Sequence, residues 1–137
     1  MVDKGTNVQI MRSQLGRVRG LGAAKSGVEH WWVERLTAIA LVPLTIWFVV
    51  SVLMLLGVSQ AVVVHWAARP VNTVLLLALV MLTFHHMQLG LQVVIDDYVH
   101  DKRSHLAISL VNKGAALLLA LFAIVAVLKM AFVVPTA

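Results

Sequence analysis

Two adjacent histidines and a later cluster of acidic and phenolic residues interrupt an apolar part of the chain, TFHHMQLGLQVVIDDYVHDKR, residues 83–103. On a helix, His86, Gly90, Val93 and Asp97 would form one stripe, because they follow the spacing i, i+4, i+7 and i+11. Gly90 would leave open space one turn from His86, which suits a flat, bulky group beside the imidazole. A histidine with such a gap fits an axial haem ligand. The alternative is a neutral histidine hydrogen-bonded to a neighbouring helix.

His85 would face a different direction from His86, since consecutive helical residues are rotated by about 100°. Both histidines lie about 13–15 Å of helix rise before the end of the apolar segment, inside a hydrocarbon layer. An ionisable residue at that depth is a functional candidate by default. We therefore predict that His86 is the ligand and that His85 is packed or hydrogen-bonded.

The acidic and phenolic cluster Asp96-Asp97-Tyr98 lies at the end of the same predicted helix. Acidic residues at a helix C-terminus oppose the helix dipole, so helix propensity does not explain them. A phenol beside a carboxylate can donate a hydrogen bond to a carbonyl oxygen and regain a proton, which quinone reduction requires at the membrane edge. The alternative is a solvated helix end with Tyr98 as an interfacial anchor.

The elements that must hold these residues are membrane helices. The chain is 61% hydrophobic and 12% charged, more apolar than a soluble domain of 137 residues could bury. We predict an all-α integral membrane protein, a single membrane-anchor domain over residues 1–137. An N-terminal arm at 1–30 precedes transmembrane helices at about 36–56, 71–95 and 108–134. The chain has no cysteine, which excludes cysteine-ligated iron–sulfur clusters within it.

The positive charges predict the orientation of the spans. Nine of the eleven Lys and Arg residues precede the first span or lie between the second and third, and only Arg69 and Lys129 fall on the other side. This bias places the N-terminus and the 96–105 loop in the cytoplasm, or in the matrix of an organelle. The formal charge of +5 thus reflects topology, and no nucleic-acid partner is expected.

The segment HMQLGLQVVIDDYVH, residues 86–100, has a histidine twelve residues, a glycine eight residues and an aspartate one residue before its tyrosine. This pattern resembles the haem-and-quinone motif of the small, haem b-containing type of membrane anchor in succinate dehydrogenase (respiratory complex II). SGVEHWWVERLTAIAL, residues 26–41, resembles that family's entry into its first helix, with Arg35 matching its arginine. The resemblance covers roughly residues 25–115.

The resemblance implies a role for each matching residue. His86 would be one axial ligand of haem b, and the other would come from a second, cytochrome b556-type anchor. Tyr98 would hydrogen-bond a carbonyl of ubiquinone, with Asp97 beside it. Arg35 would lie near a haem propionate or the quinone pocket, and His30 is a further cofactor-binding candidate.

The implied function is that of a membrane anchor within an enzyme of the tricarboxylic acid cycle and the aerobic respiratory chain. FAD and iron–sulfur clusters would lie in the flavoprotein and iron–sulfur subunits, and electrons from succinate would reduce ubiquinone near Tyr98. The expected location is the bacterial inner membrane, or the mitochondrial inner membrane in a eukaryote. The alternatives are a fumarate reductase-type anchor that works with a low-potential quinone, a proton-relay or transport protein without haem, and an anchor without any cofactor.

Overall fold

A computed structural model describes the backbone of residues 23–132 and the side chains of residues 28–132. In this part of the chain every regular element is a helix: α1 (Ala23–Met54), α2 (Gln60–Ala67), α3 (Pro70–Tyr98) and α4 (Lys102–Phe132). The predicted all-α class is confirmed. The chain divides into two compact units, Met1–Val33 and Glu34–Ala137, and the packing described below lies within the second.

Three helices are long and apolar enough to cross a membrane, namely Val28–Met54 of α1, the whole of α3 and the whole of α4. They contain 27, 29 and 31 residues. At a rise of about 1.5 Å per residue, each is longer than the hydrocarbon core of about 30 Å. Many large apolar side chains on these helices are exposed, as expected of surfaces that face lipid or another membrane protein. The prediction of a three-span membrane protein is confirmed.

Most helix ends lie beyond the predicted spans, although α1 ends at Met54, two residues before its predicted end. α1 begins at Ala23 and α4 at Lys102, both earlier than predicted, and α3 continues to Tyr98. Hydrophobicity marks only the part of a helix that lies in the bilayer, whereas backbone hydrogen bonding continues past it. The predicted N-terminal arm is therefore helical from Ala23, while residues 1–22 and 133–137 lie outside the described part of the chain.

The short helix α2 is absent from the sequence prediction. The turn before it contains Gly57, whose φ of +78° is a left-handed conformation that glycine adopts without steric cost. Eight residues are too few to cross a bilayer, so the apolar pattern of α2 does not stand out from that of a loop. At its other end, Asn72 and Thr73 donate to the carbonyls of Trp66 and Ala67, each at 2.7 Å, and so satisfy the end of α2.

The apolar core of the second unit lies at the α2 end of the long helices. Ala67, Leu76 and Val127 are buried there and come from α2, α3 and α4 respectively. Trp47 of α1 and Trp66 of α2 pack against this cluster. Their rings stack with centroids 5.7 Å apart and an interplanar angle of 22°. All four helices thus contribute to one small core.

At the opposite end, α3 and α4 are joined by what we term the polar ladder, formed by Gln88, Gln92 and Asp96 of α3 and His105, Ser109 and Asn112 of α4. The Gln92 amide donates to Asp96 at 2.7 Å and to Ser109 at 3.0 Å. His105 Nε2 lies 2.8 Å from the same Asp96 carboxylate oxygen. Asn112 donates to a backbone carbonyl of α3 at 3.0 Å. These bonds pair most of the polar groups that packing removes from water, but Oε1 of Gln92 is buried without a hydrogen-bond partner among the described residues.

The start of α4 is capped by a side chain from the preceding loop. Oδ2 of Asp101 accepts hydrogen bonds from the backbone N–H of Ser104 at 2.9 Å and from its hydroxyl at 2.8 Å. The backbone bond, followed by the hydroxyl bond, favours the ionised carboxylate and lowers the pKa of Asp101 below its ordinary value. This exposed cap fixes where the hairpin of α3 and α4 turns.

Asp101→Ala should destabilise the start of α4, because the first N–H groups of the helix lose their side-chain acceptor. Asp101→Asn is the matched control, since asparagine caps about as well but does not titrate. In the wild type the cap contributes its full share of folding stability above the ordinary aspartate pKa of about 3.9. This contribution falls as the pH drops through the lowered pKa that Asp101 has in the folded protein. Both variants should lack this part of the pH dependence. Thermal unfolding in detergent micelles measures the contribution of the cap to stability. Equal melting temperatures of the wild type and Asp101→Ala at neutral pH would contradict the capping role.

Candidate functional site

His86 is half-buried on α3 and contacts α1 through a threonine. Its Nδ1 lies 2.9 Å from Oγ1 of Thr37, and the Thr37 hydroxyl donates to the backbone carbonyl of Glu34 at 2.9 Å. Thr37 is only 7% exposed, so the contact is shielded from solvent. The imidazole is therefore held between two long helices.

The Thr37 hydroxyl favours one tautomer of the His86 ring. A hydroxyl carries one hydrogen, and that of Thr37 is within donating distance of the Glu34 carbonyl. When it donates there, its oxygen accepts a hydrogen bond from Nδ1, and Nε2 is then the nitrogen with the lone pair. Metal-binding histidines usually donate their other ring N–H in this way, which fixes the ring orientation.

An apolar groove with a volume of about 400 Å³ lies beside His86, and we term it the His86 groove. The α1 side chains that line it are Ala38, Leu41, Val42, Thr45 and Ile46. Their spacing of three and four residues places them on one helix face. One turn from His86, a Cβ added to Gly90 would meet nothing within 4 Å. The open space that the sequence predicts at Gly90 is thus present.

His85 faces a second groove, between α3 and α4, with a volume of about 320 Å³. Its polar lining side chains are His85, Gln88 and Lys113, and we term it the Lys113 groove. The two histidines therefore serve different surfaces, as their angular separation of about 100° on a helix requires.

Asp96, rather than Asp97, makes the contacts at the end of α3. Within the described part of the chain, the hydrogen bonds of this helix end involve Asp96 and neither Asp97 nor Tyr98. Asp97 is exposed, and Tyr98 is 79% exposed. The phenol and the carboxylate predicted to act on quinone are thus both accessible, but no hydrogen bond joins them among the described residues.

The two basic candidates lie on α1. Arg35 is exposed and precedes Thr37 by two residues. Residues two apart diverge by about 200° around a helix, so Arg35 is not on the face that contacts His86. His30 is half-exposed and belongs to the first unit. The cofactor-binding roles of both residues stay predictions.

Sequence reasoning missed the residues that orient the candidates. Thr37 gave no signal, because a threonine in an apolar span is common and its partner lies 49 residues away. The polar ladder, by contrast, could have been recognised from a pattern in the sequence. Gln88, Gln92 and Asp96 recur every four residues on α3, and a polar stripe with similar spacing begins α4. Two facing polar stripes at helical spacing indicate a helix contact within the membrane.

The donor set limits which metal group the site could hold. Among residues 28–132, no group of three or more His, Asp or Glu side chains could hold a metal ion. His86 offers a single imidazole, which Thr37 holds through Nδ1 and which lines an apolar groove. This arrangement fits an axial ligand to a group shared with another chain.

The sequence profile of a known family matches residues 9–128, and the family is described as the succinate dehydrogenase/fumarate reductase transmembrane subunit. The chain belongs to this family. The match includes all the candidate residues on α1 and α3.

Individual relatives give the same assignment. The succinate dehydrogenase hydrophobic membrane anchor subunit of Rickettsia bellii (strain RML369-C) is 35% identical over 88 residues, which cover 64% of this chain and 70% of that protein. Its counterpart from Rickettsia conorii (strain ATCC VR-613 / Malish 7) is 32% identical over 100 residues, 71% of this chain and 79% of that protein. The Paracoccus denitrificans protein of the same description is 33% identical over 79 residues, 58% and 61% of the two chains. No solved structure matches significantly. The predicted resemblance to the small membrane anchor of succinate dehydrogenase is confirmed.

Thr37→Val should weaken the contact between α1 and α3 by about 1–3 kcal/mol, because Nδ1 of His86 loses its acceptor while the shape of the side chain is kept. Thr37→Ser retains a hydroxyl and should remain close to the wild type. Unfolding in mixed micelles measures the difference in free energy. Nitrogen-15 NMR of His86 reads the tautomer directly, and a proton on Nε2 in the wild type without haem would contradict the assignment.

Proposed function

We propose that this protein anchors succinate dehydrogenase in the membrane, supplies one axial ligand of haem b and forms part of the site where ubiquinone is reduced. The observation that carries the proposal is the contact between His86 and Thr37, which holds the imidazole through Nδ1 beside the His86 groove. Membership of the succinate dehydrogenase/fumarate reductase family supports the wider assignment.

The residues around His86 fit a haem. Nε2 of His86 would ligate the iron, and Thr37 would hold the imidazole through Nδ1. Gly90 would leave room for the edge of the macrocycle. When bound, haem supplies a centre that accepts and returns single electrons. The second axial ligand would come from the cytochrome b556-type anchor that pairs with this chain.

Tyr98 and Asp97 would act on ubiquinone at the end of α3. The Tyr98 hydroxyl would donate a hydrogen bond to a quinone carbonyl and stabilise the negative charge that develops there as electrons arrive. Asp97 would help to return a proton from the adjacent aqueous phase, to which both exposed side chains have access. Arg35 would stabilise a haem propionate or the quinone, and His30 is a second candidate for this basic role.

The remaining cofactors would lie in other chains of the complex. The flavoprotein subunit would oxidise succinate with FAD, and the iron–sulfur subunit would carry the electrons to the quinone site. The strong bias of Lys and Arg toward one side supports an N-terminus in the cytoplasm and a location in the bacterial inner membrane, or the equivalent matrix orientation in a mitochondrion.

The geometry argues against one of the two main alternatives. A proton relay through His85, His86 and Asp97 would need these groups in one contact chain, yet His85 and His86 line different grooves. A fumarate reductase-type anchor would use the same residues in the opposite direction, so the quinone that copurifies with the complex separates the two. A low-potential quinone would favour fumarate reduction.

His86→Ala should abolish the bis-histidine haem b signal of the assembled complex, because the ligand that this chain supplies is lost. His85→Ala is the matched control and should leave the signal unchanged. The reduced-minus-oxidised absorption spectrum, with assembly of the complex checked by gel filtration, measures both. Gly90→Leu should also lower haem retention, since a leucine side chain would occupy the open space.

A normal spectrum in His86→Ala together with a perturbed one in His85→Ala would mean that the other histidine is the ligand. A wild-type complex without any haem spectrum would refute the haem assignment altogether, while the family membership would stand.

Tyr98→Phe should lower succinate–quinone reductase activity by about a hundredfold, because one donor to the developing oxyanion is removed with almost no change in volume. Assembly, haem content and succinate oxidation with an artificial dye acceptor should stay nearly normal. Asp97→Asn should have a smaller, pH-dependent effect in the same assay. Unchanged quinone reduction in an assembled Tyr98→Phe complex would leave Tyr98 as an interfacial anchor only.

A further inference from the structure

The Lys113 groove is not used by the proposed function. It runs between α3 and α4 on the side of α3 that carries His85, whereas the haem ligand faces the His86 groove. The groove has a volume of about 320 Å³. Its lining residues on α3 are Met81, Phe84, His85 and Gln88, and those on α4 are Lys113, Ala116, Leu117, Ala120, Leu121 and Ile124. No acidic side chain is among these described lining residues.

The Lys113 groove is polar at one end and apolar at the other. Gln88 and Lys113 lie at the end nearest to the turn between α3 and α4, and His85 lies one turn below Gln88. From Lys113 to Ile124 the groove follows α4 for about 16 Å at helical rise, and its lining over this distance is apolar. A ligand that matches this pattern has a compact polar head and a long apolar chain.

Lys113 lies where the polar part of α4 meets its apolar part. The residues after it, from Ala115 to Phe132, contain one charge, Lys129, and cover about 27 Å, close to a hydrocarbon core of about 30 Å. Side chains on a helix lean toward its N-terminus, so the Lys113 side chain leans toward the turn and the headgroup layer. Among the described residues, Lys113 forms no ion pair. Its positive charge is thus available to an anion at the membrane interface.

We propose that the Lys113 groove binds one anionic phospholipid of the leaflet on the side of the α3–α4 turn. The phosphate would pair with the Lys113 ammonium and accept a hydrogen bond from the Gln88 amide. One acyl chain would lie along Phe84, Ala120 and Ile124. Basic pockets between membrane helices are known to select anionic lipid headgroups. The positive charge favours a phosphate over a neutral quinone ring.

The assignment uses the placement of the helices in the bilayer but neither the haem nor the quinone proposal. The tests therefore use the assembled wild-type complex and three variants of this chain, and haem spectra of the same samples are recorded separately. Lys113→Gln removes the charge, and Ala120→Phe fills the apolar part of the groove. Lys102→Gln is the matched control, because it removes an equal charge from the same helix outside the groove.

Native mass spectrometry of the complex in detergent counts the phospholipids that remain bound, and titration with phosphatidylglycerol or phosphatidylcholine measures their selectivity. The wild type and Lys102→Gln should retain one anionic lipid per copy of this chain and prefer phosphatidylglycerol. Lys113→Gln should bind phosphatidylglycerol about fivefold more weakly, as expected for one interfacial lysine. Ala120→Phe should lose the lipid while retaining the charge.

Four results would overturn the proposal. The first is a wild-type complex without bound anionic lipid, and the second is equal weakening in Lys113→Gln and Lys102→Gln. The third is that Ala120→Phe fails to assemble with the partner anchor while Lys113→Gln keeps its lipid. That result would mean that a helix of the partner covers the groove. Displacement of the lipid by a quinone analogue would reassign the groove to quinone.

Discussion

Polar side chains decide which helices meet in this protein, because the hydrocarbon of a bilayer offers them no partner. Apolar contacts cannot make that choice alone, since lipid tails are as apolar as leucine. Thr37 and His86 join α1 to α3, and the polar ladder joins α3 to α4. Two side chains at the start of α3 close the end of α2. The arrangement of the helices follows from these few contacts.

The same constraint prepares the candidate site. A histidine inside a membrane helix needs a hydrogen-bond partner for its ring, and Thr37 provides one at Nδ1 while His86 also lines the His86 groove. At the end of α3, Asp96 pairs with His105 and Gln92, whereas its neighbour Asp97 forms no side-chain hydrogen bond among the described residues. Both carboxylates are exposed, and the contacts between the helices engage only one of them.

Hydrophobicity and charge predicted the all-α class and the three spans, because both reflect the bilayer directly. Helical spacing predicted that His86 and His85 face different surfaces and that Gly90 leaves open space, because rotation per residue is a local property. The short helix α2 escaped prediction, as eight residues carry too weak a pattern. The choice between Asp96 and Asp97 depended on where α4 lies, and the partner of His86 depended on α1. Contacts between segments that are distant in sequence cannot be predicted from the spacing of residues along one helix.

Different kinds of contact hold the two ends of the hairpin formed by α3 and α4. The polar ladder pins α3 and α4 together over the half nearest to their turn, where Tyr98 is carried. At the far end the two helices meet around Leu76 and Val127, through dispersion contacts that lipid tails could replace with little loss. The turn end of the pair is therefore held by hydrogen bonds and the α2 end by apolar packing. Because hydrogen bonds specify one geometry more narrowly than apolar contacts do, we expect a change in bilayer thickness to shift the helices at the α2 end before it shifts them beside Tyr98.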